Sequence, residues 1–202
     1  MAQWYAYRAI ESEGGNPDVR RLEVRSSWQQ VDDSCLPCGG EVLIKVQFSS
    51  VNYKDALSAS GNRGVTRNFP HTPGIDAAGT VVSDRSGLFA EGAEVVVFGY
   101  DLGMNTSGGY GEYIRVPASW VLAKPTGLSI EDSMRWGTAG FTAALSVEKL
   151  LKAGITPKAG KIIVTGATGG VGSVAVALLA KLGFSVVAVT GKLDVKDWLL
   201  GI

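Results

Sequence analysis

Histidine is almost missing: His71 is the only one in 202 residues, and the two cysteines, Cys35 and Cys38, share a single Cys-Leu-Pro-Cys stretch. A structural zinc site needs four ligands, and this supply falls short. A redox-active pair would sit at a helix N-terminus, and Pro37, Gly39 and Gly40 argue against one. Cys35 and Cys38 therefore read as loop thiols, with no sign of a disulfide framework or of secretion. Net charge is missing too, with 19 basic against 19 acidic residues. A nucleic-acid binder depends on a basic footprint, so that class is excluded. No apolar run reaches the roughly 20 residues of a membrane span, and Met1 to Ile10 is too polar for a signal peptide. The sequence holds no internal repeat and no low-complexity run. These absences lead to an expected cytoplasmic location, with no nucleic-acid and no membrane partner.

What is present is ample core material: 46% of the chain is apolar, and 27 glycines punctuate many short segments. The first 125 residues read as β. Trp4–Ile10 and Leu22–Arg25 are short strand candidates. Glu41–Ser50 alternates, with Val42, Ile44, Val46 and Phe48 on one face. Ala77–Val82, Ala93–Phe98, Tyr113–Val116 and Trp120–Lys124 follow. Short strands separated by turn residues predict a barrel or sandwich. The pattern changes near Pro125–Ser129, so the expected domains are 1–128 and 129–202. Ser129 is a plausible N-cap with Asp132 three residues on. The stretch from Ile130 to Ala153 is helical in composition, with Gly137 and Gly140 expected to divide it.

Lys161–Thr165 then reads as a short apolar strand, Gly169–Leu182 as a helix and Phe184–Thr190 as a second strand. Runs this apolar fit parallel strands buried on both faces, and the three segments form a βαβ unit. The turn between them is Gly166-Ala167-Thr168-Gly169-Gly170-Val171-Gly172. Gly166 permits the tight exit from the strand. Gly169 lets the backbone approach a pyrophosphate, and Gly172 lets the helix pack closely on the strand. Free N–H groups at the helix start favour negative charge. A dinucleotide site follows, although Ala167 and Thr168 depart from the G-x-G-x-x-G spacing. At the end of the second strand an NAD site carries an Asp or Glu. Here Thr190-Gly191-Lys192 stands in that place, and a cation with a hydroxyl suits a 2′-phosphate. The expected cofactor is NADPH.

Several segments together resemble the medium-chain dehydrogenase/reductases, and within them the zinc-independent quinone oxidoreductases of the acrylyl-CoA reductase subgroup. They are Ser50-Val51-Asn52-Tyr53-Lys54-Asp55-Ala56, Arg67-Asn68-Phe69-Pro70, Pro73-Gly74-Ile75-Asp76 with Ala78-Gly79-Thr80-Val81, Gly108-Gly109 with Glu112-Tyr113, Gly137-Thr138-Ala139-Gly140-Phe141-Thr142-Ala143, the glycine turn, and Thr190-Gly191-Lys192. The resemblance implies an α/β chain with a β-rich N-terminal part: a GroES-like barrel, then the first half of a Rossmann domain, a doubly wound parallel sheet. It implies nicotinamide bound in the cleft between the two. Zinc-dependent relatives carry a Cys and then a His-Glu in this order. Asn52 stands in the cysteine's place and Ile75-Asp76 where His-Glu would be, so no metal site is expected.

The resemblance further implies hydride addition to a double bond conjugated with a carbonyl. The substrate would be a small molecule: an enoyl thioester such as acrylyl-CoA, an enone or a quinone. Charge developing on the carbonyl oxygen needs donors, and the adjacent carbon needs a proton. Tyr53 would contact the nicotinamide end and donate to the substrate, with Asn52 and Asp55 orienting its loop. Tyr53 is otherwise a packing aromatic, and Asp55 otherwise caps a helix beginning at Ala56. Lys54 reads as solvated. Thr138 and Thr142 either reach the cofactor or bond their own helix backbone. Arg67 either attracts the phosphates of a CoA ester or is simply exposed. Trp136 and Phe141 read as core. Cofactor contacts are expected from Tyr53, Thr142, Gly166, Thr168, Gly169, Gly170, Val171, Gly172, Thr190, Gly191 and Lys192.

A complete doubly wound domain has about six strands in two halves, and only the first half is legible. The chain therefore reads as a C-terminally truncated member, with a homodimer expected of the full-length form. Two alternatives to a reductase stay open: a non-catalytic NADPH-binding module, and a remnant that acts only with a partner chain.

Overall fold

A computed structural model describes residues 3–11, 24–192 and 194–202. The chain divides into two compact units, Met1–Gly137 and Thr138–Ile202. The expected domain break at 128/129 falls at the start of the helix that runs through this division.

In the first unit, β1 (Trp4–Glu11) and β2 (Val24–Val31) pair as an antiparallel hairpin. Of the strand expected at Leu22–Arg25, Val24 and Arg25 begin β2, which runs on to Val31; Leu22 and Glu23 lie outside the described residues. A five-stranded antiparallel sheet follows, built from β3 (Val42–Phe48), β4 (Asp76–Asp84), β5 (Glu94–Phe98), β6 (Tyr113–Val116) and β7 (Val121–Ala123), in the order β6-β3-β4-β5-β7. Its strands are rich in valine; β6 alternates between buried and half-buried positions, whereas β4 and β5, inside the sheet, bury consecutive residues. Val42, Ile44, Val81, Val95, Val97, Ile114 and Val116 form one buried cluster. Fully burying side chains of this size stabilises the fold by about 1.5–3 kcal/mol each.

The apolar stripe expected along β3 does not run its whole length. Pairing with β4 shifts register between Val46 and Phe48, and Phe48 is 42% exposed. An irregular step in the ladder redirects the side chains beyond it. The short helix α1 (Tyr53–Ala59) follows directly.

The helix α2 (Ile130–Lys152) starts as expected: the Ser129 hydroxyl accepts from the Asp132 N–H at 2.9 Å and donates to its carboxylate at 2.7 Å. Gly137 alone breaks it, with φ +50° and ψ −160°. Gly140 lies within the helix, contrary to the expectation that both glycines divide it. Before the kink, Ile130 and Met134 pack against Ala78 and Val96. After it, Val147 joins the core of the second unit.

That core is a βαβ arrangement: β8 (Lys161–Thr165), α3 (Gly170–Lys181) and β9 (Ser185–Val189), with β8 and β9 parallel. A short helix α4 (Lys196–Leu200) comes last. Ile162, Val164 and Val186 pack with Val147, Leu179 and Phe184. The opposite face is open, with Ile163 at 66%, Val187 at 37% and Val189 at 45% exposure. Burial on both faces, expected from the apolar runs, is therefore corrected: helices cover one face of this strand pair among the described residues. No helix among those residues is long and apolar enough to cross a membrane.

Candidate active site

The polar centre of the first unit is built around the start of α1. Asn52 is its N-cap, in an extended conformation, and Asp55 is the third helical residue. The Asp55 carboxylate accepts from the Asn52 N–H at 2.7 Å, from the Ile75 N–H at 2.9 Å and from the Tyr110 hydroxyl at 3.2 Å. The helix therefore begins at Tyr53 rather than at the expected Ala56, because the reach of Asp55 back to Asn52 satisfies an otherwise orphan donor. Asp55 is 2% exposed. Burial pushes its carboxyl above the usual range, against the pull of the Ile75 and Asn52 N–H donors. Burial also pushes the Tyr110 phenol above its ordinary value, and the charge of Asp55 adds to this.

Beside it lies a second cluster. The side-chain amide of Asn52 donates to Asp76 at 3.0 Å and to the Ser50 hydroxyl at 2.8 Å, and that hydroxyl donates to the same Asp76 oxygen. Asp76 is fully buried. Its backbone carbonyl accepts from the Ser49 hydroxyl at 2.7 Å. Gly137 closes the cluster: a Cβ there would lie 2.8 Å from the Asp76 carboxylate and 3.0 Å from the Ser50 hydroxyl, at a φ that side chains avoid. The fold thus brings together Asn52 and Asp76, two of the three positions, with Ile75, at which the sequence departs from zinc-dependent chains. The donors there are a hydroxyl, an amide and one carboxylate, without thiolate or imidazole. Ser50, Asp76 and Tyr110 were missed as site residues. Asp76 had a signal, in its place within Pro73-Gly74-Ile75-Asp76, whereas Tyr110 had none.

Tyr53 is 80% exposed at the first turn of α1. That removes the packing alternative for its ring and leaves its phenol open to a ligand. Lys54 is exposed, its amine 3.8 Å from the Met104 sulfur. Arg67 is exposed, and its backbone N–H donates to the Asn105 side chain at 3.1 Å. Trp136 and Phe141, expected in the core, are 48% and 46% exposed. Their helix turns other residues inward, among them Met134, Ala143 and Val147. Cys35 ends a one-turn 3-10 helix, Asp33–Cys35, and Cys38 is exposed; both thiols are free.

In the second unit the glycine turn exposes Gly166, Gly169, Gly170 and Val171, while Ala167 and Gly172 are buried. Gly166 has φ +60°, and its carbonyl accepts from the Gly169 N–H at 2.9 Å. A Cβ on Gly172 would lie 2.2 Å from that carbonyl oxygen, so Gly172 lets α3 sit on the turn itself. Gly169, the N-cap of α3, offers no side-chain bond to the first turn, whose N–H groups are intrinsically unpaired. Gly169, Gly170 and Val171 are all exposed. Thr168 and Thr190 bring their hydroxyls within 3.3 Å, and Thr190 accepts from the Lys192 N–H at 3.1 Å. The turn and the end of β9 thus meet through Thr168 and Thr190, with Gly191 and Lys192 exposed just beyond. The Thr142 hydroxyl donates to the Thr138 carbonyl at 2.7 Å, a bond to its own helix that leaves its oxygen lone pairs able to accept.

Residues 39–126 match the alcohol dehydrogenase GroES-like domain. The chain is 45% identical over 193 residues to the putative quinone oxidoreductase YhfP of Bacillus subtilis, covering 96% of this chain and 57% of that protein. It is 49% identical over 174 residues to the probable acrylyl-CoA reductase AcuI of Escherichia coli, covering 86% and 53%. Among solved structures, the yhdH oxidoreductase from Salmonella enterica in complex with NADP superimposes with a TM-score of 0.90 at 44% identity, over 98% of this chain and 58% of that one. Bacillus subtilis yhfP with NAD bound gives 0.90 at 42% identity, over 100% and 58%. The chain spans about half the length of the curated relatives it matches. Its GroES-like sheet, its βαβ unit and these likenesses make the chain similar to the YhfP, YhdH and AcuI proteins of the medium-chain dehydrogenase/reductases.

Proposed function

We propose that the chain serves an NADPH-dependent, metal-free reductase that adds hydride to an activated C=C bond of an enoyl thioester, an enone or a quinone. The observation that carries this reading is the open glycine turn beside Thr190-Gly191-Lys192. An uncapped helix start, with no Cβ on Gly169 or Gly170, accepts a pyrophosphate. A cation and a hydroxyl at the end of β9, where an NAD site has a carboxylate, suit a 2′-phosphate. Relatives support both halves: the Salmonella enterica protein is solved with NADP and the Escherichia coli YHDH with NADPH, while yhfP is solved with NAD. Residues 1–128 supply the substrate side of the proposal and residues 129–202 the cofactor side.

The cofactor supplies a hydride when bound. The exposed Tyr53 phenol donates a hydrogen bond to the carbonyl oxygen on which charge develops. Asn52 and Asp55 fix the start of α1 and so hold Tyr53 in place. Thr142 and Thr168 complete the cofactor contacts through their hydroxyls. The test follows NADPH oxidation at 340 nm with acrylyl-CoA and with a quinone as acceptors. Turnover that falls at least about tenfold in Tyr53→Phe supports the role of a transition-state donor. Unchanged kinetics in that variant remove Tyr53 from the site.

One observation favours a second reading. The open face of the β8–β9 pair, with Ile163, Val187 and Val189 exposed, suits a chain that binds NADPH and turns over only with a further polypeptide on that face. NADPH binding without turnover by this chain is the outcome that selects it.

A further inference from the structure

The Cys35 thiol takes no part in the reductase reading, yet its surroundings are polar. It is half-buried, and the Arg8 guanidinium donates to its sulfur at 3.3 Å across 27 positions of sequence. Cys38 is exposed, and no hydrogen bond among the described residues reaches its sulfur. Thr72 lies against the same two residues, Arg8 and Cys35. Ala9 and His71 exchange backbone bonds at 2.8 and 2.9 Å, which sets Thr72 opposite Arg8 on the neighbouring pair. The Ser107 hydroxyl donates to the Cys35 carbonyl at 2.8 Å, and the Gly108 N–H donates to the Thr72 carbonyl at 2.7 Å, so consecutive residues hold both. Thr72 is 2% exposed, and its hydroxyl has no partner among the described residues; nor has the buried Arg8 Nε–H. Buried polar groups are ordinarily paired, so two orphans beside one thiol call for an explanation.

We propose that Cys35 is a site of oxidation by hydroperoxides, with Arg8 and Thr72 as the donors that assist it. The sulfur attacks the terminal peroxide oxygen. An S–O bond forms, the O–O bond breaks, and the second oxygen leaves with the thiol proton, as water from hydrogen peroxide or as an alcohol from an organic hydroperoxide. Sulfur gives up two electrons and the peroxide takes them, which makes Cys35 a sulfenic acid. Negative charge develops on the departing oxygen, and donors already in place there lower the barrier. A guanidinium at the sulfur and a hydroxyl without another partner are such donors. The ligand class follows from size and polarity: a small hydroperoxide reaches a half-buried sulfur, and it both donates and accepts hydrogen bonds. The product is a sulfenic acid rather than a Cys35–Cys38 disulfide, because Leu36 leaves the 3-10 turn extended, at φ −94° and ψ 143°, and Pro37 follows before Cys38. The sequence excluded a helix-activated cysteine pair; it gave no sign of Arg8, which only the fold brings to the sulfur.

Hydrogen peroxide with dimedone, which traps sulfenic acids, tests it on two single-cysteine chains, Cys38→Ser and Cys35→Ser, with the label read by intact mass. Iodoacetamide alkylation, which needs no donor to a departing oxygen, runs in parallel. Although Cys38 is the more exposed thiol, Cys35 is expected to label at least about tenfold faster. Adding Thr72→Val or Arg8→Met to the Cys38→Ser chain is expected to slow labelling at least about tenfold. Thr72→Val should leave alkylation of Cys35 nearly unchanged, and Thr72→Ser, which keeps the hydroxyl, should keep the labelling rate. Equal labelling of the two cysteines overturns the proposal, as does a Thr72→Val or Arg8→Met chain that labels as fast as its parent. A Thr72→Val loss that alkylation shares, or that Thr72→Ser reproduces, overturns it too, since packing or access would then be the cause. The assay contains no nucleotide and no hydride acceptor, so its failure leaves the reductase reading untouched.

Discussion

Asp55 shows how one side chain serves both folding and the site. Its two oxygens take the N–H groups of Asn52 and Ile75 and the Tyr110 hydroxyl, all in a nearly water-free position. Asp55→Ala leaves buried donors without acceptors, at a cost of about 2–4 kcal/mol. Urea unfolding checks this, and a loss under about 1 kcal/mol would show that water replaces the carboxylate. Lys192→Ala is expected to weaken NADPH while leaving NADH almost unchanged; equal losses for both would refute contact with a 2′-phosphate. His71 governs a pH effect. It is 3% exposed, and burial holds its pKa below the ordinary 6.5. The backbone of Gly103 and the charge of Asp101 oppose that shift, and Arg8 reinforces it. The folded state thus keeps the imidazole neutral, while the unfolded chain takes up a proton below 6.5. This contribution to stability is present above pH 6.5 and is lost as pH falls. The melting temperature is expected to drop between pH 7.5 and 5.5, and His71→Gln to flatten that drop. Because His71 is the only histidine, an unaltered slope in the variant would contradict the account.

At the scale of elements, the sequence was legible where the physics is local. Four glycines, Gly166, Gly169, Gly170 and Gly172, where a β-branched run meets an apolar helix announce the β8–α3 turn. Ser129 with Asp132 announces the start of α2. Legibility failed where a distant partner decides. Asp55 reaches both Asn52 and Ile75, 20 positions away, and that contact moves the start of α1 to Tyr53. The irregular pairing of β3 with β4 exposes Phe48 although its spacing matches Val42 and Ile44. Trp136 and Phe141 look like core by composition, but the kink at Gly137 and the packing of their neighbours leave them half in solvent. Asn52 and Asp55, which the structure joins by a hydrogen bond, were legible from a short motif. Tyr110 belongs to a loop with no local signal, and only the fold carries it to Asp55. The same reasoning yields a test at the glycine turn. In Gly172→Ala the new Cβ meets the Gly166 carbonyl oxygen at 2.2 Å, so the turn must open. The expected outcome is a loss of about 1–3 kcal/mol in stability together with loss of nucleotide binding. Normal affinity for NADPH in that variant would mean that the turn's geometry does not matter to the cofactor.

At the scale of the whole molecule, two units carry different chemistry. The first holds the Asp55 and Asp76 networks, Tyr53 and Cys35. The second holds the glycine turn and Lys192 on a βαβ scaffold with one open face. The chain covers 57% of YhfP and 53% of the Escherichia coli AcuI, so the two functions need not be equally complete in these 202 residues. The proposed nucleotide site draws on the turn, the uncapped helix start and the end of β9. The central claim is accordingly tested most directly by titrating the chain with NADPH and, separately, with NADH, following nicotinamide fluorescence. The account predicts saturable binding with a preference for NADPH that Lys192→Ala removes. Folded, soluble chain that binds neither nucleotide, or that prefers NADH, would contradict it.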